Sequence, residues 1–262
     1  MRVVTWNVNS IGARLPRVLE LLDKHAPDVV LLQETKCADE AFPHDELRAA
    51  GYAAAAHGAG RWAGVAILAR ADGPPIEDVD AGLPGSGFPA DEARWIEATV
   101  GPVRVASVYV INGRAIDAPQ FADKLAFLDA MAERAGALAA GPPAIIGGDV
   151  NVCPADIDVY DPAAFAGATH VTPQERDALA GVLRAGALVD AYRHLHPDDV
   201  QFTWWDYRQG HFHRGLGLRI DLLMVSEAVA PGLRACSIDR DLRKGAKPSD
   251  HAPLLLELQL PV

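Results

Sequence analysis

The sequence predicts two packed β-sheets with helices on their outer faces, and three observations carry that reading. Eight strand-like runs recur along the 262 residues, and several are apolar on both faces, as expected of strands covered on both sides. Helical periodicity appears in only three places. No repeat, low-complexity tract or linker divides the chain, so residues 1–262 read as one α/β domain, an ordinary size for a single core. Many strands with few helices favour a layered sandwich.

Taken in order, the strand-like runs are Arg2–Val8, Asp28–Gln33, Trp62–Arg70, Arg94–Val100, Val103–Val110, Ala144–Gly147, Arg219–Val225 and Pro253–Leu260. The first helix is announced by the stripe Leu15, Val18, Leu19 and Leu22, the second by Phe121, Leu125, Leu128 and Ala132. The third opens with Thr172-Pro173-Gln174-Glu175, a capping box with proline at the first helical position, followed by Leu179, Val182 and Leu183. The Gly/Pro-rich stretch Ala81 to Pro89 reads as a loop.

Three scattered cysteines, Cys37, Cys153 and Cys236, fit no disulfide framework and no thiolate zinc site. The chain enters a strand at once, without a leader pattern, and no apolar run is long enough to span a membrane. A cytoplasmic protein is expected. The net charge of −11 argues against a generally basic, nucleic-acid-binding surface. Its distribution is uneven: residues 1–200 carry −12, whereas residues 201–250 carry +2. Such a chain would hold phosphate only at its local basic patch.

Polar residues collect at strand ends. Asn7 and Asn9 close the first run, Gln33, Glu34, Thr35 and Lys36 the second, and Tyr109 the fifth, before Asn112-Gly113-Arg114. The stretch A-I-I-G-G-D-V-N-V-C-P, residues 144–154, delivers Asp149 and Asn151, two apart, so strand alternation would place them on one face. Alone, that pair reads more readily as Asx turn chemistry than as a site. Asp221 lies inside an apolar strand, and Asp250-His251 precede the last one. Buried carboxylates need a partner or a cation. Glu34, Asp149 and Asp250, with Asn7 and Asn151 as neutral oxygen donors, suit Mg²⁺ or Mn²⁺ and not zinc. His251 and Asp221 could pair, the acid orienting and charging the imidazole. There is no nucleophile elbow, P-loop or dinucleotide fingerprint.

The motifs T-W-N-V-N-S, L-Q-E-T-K, Y-x-x-N-G-R, G-G-D-V-N-V-C-P, F-T-W-W-D-Y-R, G-L-R-I-D-L-L and K-P-S-D-H-A-P run in this order from Thr5 to Pro253. Together they resemble the exonuclease III family of abasic-site endonucleases, within the endonuclease/exonuclease/phosphatase superfamily. The resemblance implies a four-layered α/β sandwich, two mixed sheets flanked by helices, with a divalent-metal site at one edge. It implies metal binding by Glu34, with Asn7, Asp250 and His251 nearby and Asp149 and Asn151 available to a second or shifted ion. Asp149 would activate water, oriented by Asn151. His251, paired with Asp221, would contact the scissile phosphate, and Tyr109 would support the developing charge. Lys36 and Asn112 would touch phosphate or shape the site, and Trp204, Leu218 and Ile220 would form the abasic-sugar pocket. Arg208, His211, His213, Arg214 and Arg219 would hold the DNA backbone without reading sequence. Three positions depart from the family pattern: Ile111 for proline, Asn9 for an acid, and Leu218 for a bulky aromatic.

The expected activity is a Mg²⁺-dependent DNA phosphodiesterase, with Mn²⁺ able to substitute. It would cut duplex DNA 5′ to abasic sites and process blocked 3′ ends, as a monomer without an obligate protein partner. A phosphatase or phosphodiesterase of lipid or inositol phosphates would be an alternative with no use for Trp204. A silent DNA-binding module would bind duplex and cut it under no divalent ion.

Overall fold

The structure, a computed structural model, describes residues 1–84 and 92–260. Most of the loop expected between Ala81 and Pro89 therefore lies outside the described residues. Among the described residues, twelve strands form two six-stranded sheets. The first sheet contains β1 (Arg2–Asn7), β2 (Val29–Gln33), β3 (Tyr52–His57), β4 (Val65–Arg70), β11 (Leu233–Ile238) and β12 (Leu254–Leu258), in the order β11-β12-β1-β2-β4-β3. The second contains β5 (Ile76–Ala81), β6 (Trp95–Val100), β7 (Val103–Tyr109), β8 (Ala144–Asp149), β9 (Leu188–Asp190) and β10 (Asp221–Ser226), in the order β5-β6-β7-β8-β10-β9. Each sheet has one parallel pair at its centre, β1 with β2 and β7 with β8, and antiparallel neighbours elsewhere.

Period-two alternation explains the layering. In β2, Val29 and Leu31 enter the core between the sheets, while Val30 and Leu32 face an outer core under helix α1 (Ile11–His25). A third core, beneath α3 (Pro119–Leu138) and α4 (Pro173–Ala185), covers the other sheet. The capping box forms as expected: the Thr172 hydroxyl accepts from the Glu175 amide and the Glu175 carboxylate from the Thr172 amide. The stripe expected on α3 is displaced. Lys124, Phe127, Leu128, Met131 and Ala135 are its buried face, and Phe121 and Leu125 are only half-buried. A lysine at an inward position shifted the apparent phase. The remaining helices, α2 (His44–Ala49), α5 (Ala191–Leu195) and α6 (His211–Arg214), are too short to show a period.

Candidate active site

Backbone register gathers the site. Asp149, the last residue of β8, lies between Tyr109 on β7 and Asp221 on β10, which are its direct cross-strand partners. Gly148 before it allows that approach, because a Cβ there would sit 1.9 Å from the Val108 carbonyl oxygen. Asn7 ends β1 on the facing sheet, beside Gln33. Its amide nitrogen donates to Glu34 Oε1 and to Asp149 Oδ2, each at 2.9 Å, so one side chain ties the two sheets together at this edge. Both amide hydrogens are thereby used, and Asn7 Oδ1 accepts from the Asn9 backbone at 3.0 Å. Lys36 Nζ reaches Glu34 Oε2 and Asn9 Oδ1, each at 2.6 Å. Asp250 accepts from Asn9 Nδ2 at 2.9 Å and from Trp204 Nε1 at 3.1 Å.

The i, i+2 reasoning for Asp149 and Asn151 is corrected by the backbone. The strand stops at Asp149 and Asn151 takes a left-handed conformation, φ 52°. Their side chains converge through an Asx turn: the Asn151 amide donates to Asp149 Oδ1 at 3.0 Å. Turn chemistry and site chemistry coincide here. Asn151 Nδ2 donates to the Val110 carbonyl, and Asn151 Oδ1 accepts from Asn112 Nδ2 at 3.0 Å. Ile111, where the motif would have proline, is buried in the core beneath α3 and anchors that loop by packing.

His251 Nδ1 lies 2.8 Å from Asp221 Oδ2, and its Nε2 lies 3.7 Å from Asp149 Oδ2. Burial alone would lower the imidazole pKa, but the Asp221 and Asp149 carboxylates overcome it and raise it to about 10. For Asp149, burial dominates and Asp221 and Glu34 add to it; His251 offsets only part, and the carboxyl rises to about 7. Glu34 and Asp250 move the other way. Burial pushes each up, but Lys36 and Asn7 for Glu34, and His251, Trp204 and Asn9 for Asp250, leave both below the usual carboxylate range. Burial, with Glu34 and Asp149 near, pushes the Tyr109 phenol well up, so it is a neutral hydroxyl.

Four carboxyl groups (Glu34, Asp149, Asp221 and Asp250) thus share the edge with two cations, Lys36 and His251. With every carboxyl ionised the surplus is two negative charges, all on hard oxygen donors, the size a divalent cation neutralises. Ligand atoms of Glu34, Asp149 and His251 lie within 4.8 Å of one another. The residues fit such an ion. A charged His251 suits a phosphate oxygen better than a metal, because a protonated imidazole has no lone pair to give.

These groups line a cavity of about 170 Å³ with Tyr109, Asn112, Asn151, Trp204, Leu218 and Ile220. Leu218 and Ile220 pack with Cys153 and Val159 in a small apolar cluster that forms one wall. Arg208 and Arg214 are exposed, and Arg208 is paired with Asp206 at 2.6 Å. His211 and His213 belong to no metal-like cluster among the described residues. Arg219, expected on the DNA-facing surface, is corrected. It is fully buried, with Nε 2.6 Å from Asp158 and Nη1 2.7 Å from Asp190. Two groups escape sequence reasoning: His170, which lines the cavity, and Lys124, which shares the Asn151 carbonyl with it. Burial, with Lys124 near, lowers the His170 pKa to about 4, so the neutral ring donates Nδ1–H to the Asn151 carbonyl at 2.5 Å and keeps Nε2 as an acceptor. The only signal for Lys124 was a lysine interrupting an apolar stripe.

Comparison with known proteins agrees with this geometry. Residues 4–251 match the endonuclease/exonuclease/phosphatase family. The chain is 31% identical to exodeoxyribonuclease III of Haemophilus influenzae, covering 99% of this chain and 100% of that protein. It superposes with a TM-score of 0.95 and 38% identity on a 3′ phosphatase from Neisseria bound to product DNA hairpin, covering 99% of this chain and 100% of that one. An AP endonuclease from Archaeoglobus fulgidus follows with a TM-score of 0.93 and 32% identity, over 99% and 100%.

Proposed function

The chain belongs to the endonuclease/exonuclease/phosphatase family as a DNA repair nuclease that hydrolyses phosphodiester bonds, and from that premise we propose its substrates, metal and residue roles. It uses Mg²⁺ to remove blocking phosphate groups and nucleotides from the 3′ ends of duplex DNA, and it cuts 5′ of abasic residues. The 3′-end reaction stands first because the relative at 38% identity acts there, ahead of the AP endonuclease at 32%. The observation that carries the reading is the two-charge surplus of carboxyl groups facing a histidine held as a cation.

Glu34, Asn7 and Asp250 would hold the ion, which supplies charge stabilisation on phosphate oxygen. Asp149, ionised, takes the proton of the attacking water, and the Asn151 amide fixes that carboxylate by donating to Oδ1. The His251 imidazolium, aligned by Asp221, donates from Nε2 to a nonbridging oxygen. The Tyr109 hydroxyl and the second hydrogen of Asn112 Nδ2 serve the same phosphoryl group. A cavity of about 170 Å³ is smaller than an ordinary ligand pocket. It suits a terminal phosphate or a sugar without its base, against Trp204, Leu218 and Ile220. The test uses two duplexes, one with a 3′ phosphate and one with a single tetrahydrofuran abasic analogue, each with Mg²⁺ and with chelator. Metal-dependent release of phosphate, and nicking of the second duplex, are expected. Turnover of neither duplex under Mg²⁺ would overturn the reading.

A further inference from the structure

We propose that Lys124, held by Glu175, is a positioning residue that sets the two loops presenting Asn112 and Asn151 to the cavity. Lys124 is fully buried inside helix α3 and Glu175 is fully buried at the start of α4. The ammonium forms a short ion pair with Glu175 Oε1, donates to the Asn151 carbonyl at 2.6 Å, and reaches the Asn112 carbonyl at 3.4 Å and Thr169 Oγ1 at 3.3 Å. The carbonyls it engages therefore belong to the two asparagines whose amides meet at the cavity. Thr169 repeats the link: its hydroxyl donates to Glu175 Oε1 at 2.7 Å, and the same hydroxyl oxygen lies 3.2 Å from the Asn112 carbonyl. Gly113 packs on the lysine stem: a Cβ there would come within 3.1 Å of Lys124 Cδ and 2.9 Å of Thr169 Oγ1.

A role confined to stability explains this cluster poorly. A buried ion pair is on average no better for stability than an apolar pair of similar volume. What the ammonium does that an apolar group cannot is hold two carbonyl groups from two separate loops. Asn151 sits at φ 52°, a left-handed conformation that asparagine tolerates better than most residues but that must be held in one orientation for its amide to reach Asp149. Lys124 and His170 both bind its carbonyl and supply that constraint. Without it the Asx turn onto Asp149 relaxes, and a displacement of about 1 Å at a reacting group can cost roughly 10²-fold in rate.

This inference rests on the cavity being the catalytic site. The test compares steady-state cleavage of the 3′-phosphate duplex by wild type, Lys124→Met, the volume-conserving pair Lys124→Met/Glu175→Gln, and Thr169→Val, each below its measured Tm. The glutamine side chain keeps the cap acceptor and no charge stays buried, so the double variant should melt close to wild type. Its kcat is expected to fall at least about 10-fold, with KM for the duplex unchanged, and Thr169→Val should fall less in the same sense. A merely structural pair would lose Tm in Lys124→Met and regain both Tm and kcat in the double variant. Wild-type kcat in every folded variant overturns the proposal. Thr169→Val removes one hydroxyl and keeps the comparison alive should the lysine variants not fold. Absence of cleavage by wild type itself would instead count against the reading of the site.

Discussion

Two clusters of charge lie near the start of β10, and they differ in how their charges balance. Behind β10, Arg219 and Arg193 face Asp158 and Asp190, two cations against two acids, all within 2.7 Å contacts. At the edge where the two sheets meet, four carboxyl groups face two cations. The first cluster is closed. Its charges satisfy one another, and Asp190 also caps α5 by accepting from the Tyr192 and Arg193 amides. The second is incomplete as a set of protein groups, and there burial, with Asp221 and Glu34 adding to it, pushes the Asp149 carboxyl up to about 7. Burial does not separate a structural ion pair from a catalytic site; residual charge does.

The sharpest way to break this comparison is to remove one acid from the open cluster and one cation from the closed one. Asp149→Ala should lower kcat by roughly 10²–10⁴-fold, the scale of a lost general base, with the folded state retained in circular dichroism and gel filtration. Near-full turnover would take Asp149 out of the mechanism. Arg219→Met should do the reverse. It leaves Asp158 and Asp190 short of a cation and should cost about 3–5 kcal/mol of stability in urea melts, while the surviving folded fraction keeps its kcat. A stable Arg219→Met protein with low activity would show that the two clusters are not separable.

A smaller effect concerns the surplus itself. In chelator, the folded-state pKa of Asp149, about 7, exceeds the ordinary carboxyl value, so the native state holds a proton that the unfolded state has lost. Its contribution to stability therefore falls as pH rises from about 4 to about 7. His251, raised to about 10, contributes stability that is full below about 6.5 and lost as pH rises to about 10. Metal-free Tm should decline from pH 5 to pH 9. Mg²⁺ at a hundred times its Kd should restore about 2.7 kcal/mol and flatten the decline. A Tm indifferent to Mg²⁺ at pH 8 would deny the ion its place in the cluster.

The same contrast governs what was legible in the sequence. All eight strands anticipated are interior or central ones, and the four not anticipated, β3, β5, β9 and β11, are the four sheet edges. Interior strands carry apolar residues on both faces. Edges need not show the pattern clearly: β3, Y-A-A-A-A-H, is mostly alanine, a residue depleted in strands, β5 is I-E-D-V-D-A, and β9 has three residues. The acids of the cavity were legible because an uncompensated carboxylate at the end of an apolar run is conspicuous. Arg219 was misjudged because its partners Asp158 and Asp190 lie 61 and 29 residues away, and no local pattern marks such a pair. Glu175 was legible as a helix cap, but its pairing with Lys124 escaped notice for the same reason, at a separation of 51 residues.

The weakest charges belong to the surface, and they too can be ranked by balance. Arg208 is committed to Asp206, through Nε at 3.0 Å and Nη2 at 2.6 Å, whereas Arg214 has no carboxylate partner among the described residues. Duplex phosphate must displace Asp206 to engage Arg208 fully, but it meets Arg214 free. Each phosphate contact contributes about −0.9 to the slope of log K against log salt concentration. Arg214→Ala should therefore reduce the magnitude of that slope by nearly 0.9 in catalytically silent Asp149→Ala protein, and Arg208→Ala by distinctly less. Asp206→Asn should steepen it, since the neutral amide releases Arg208 to the backbone. Equal losses from both arginines would mean that Asp206 does not restrain Arg208, and charge balance would then govern the buried clusters alone.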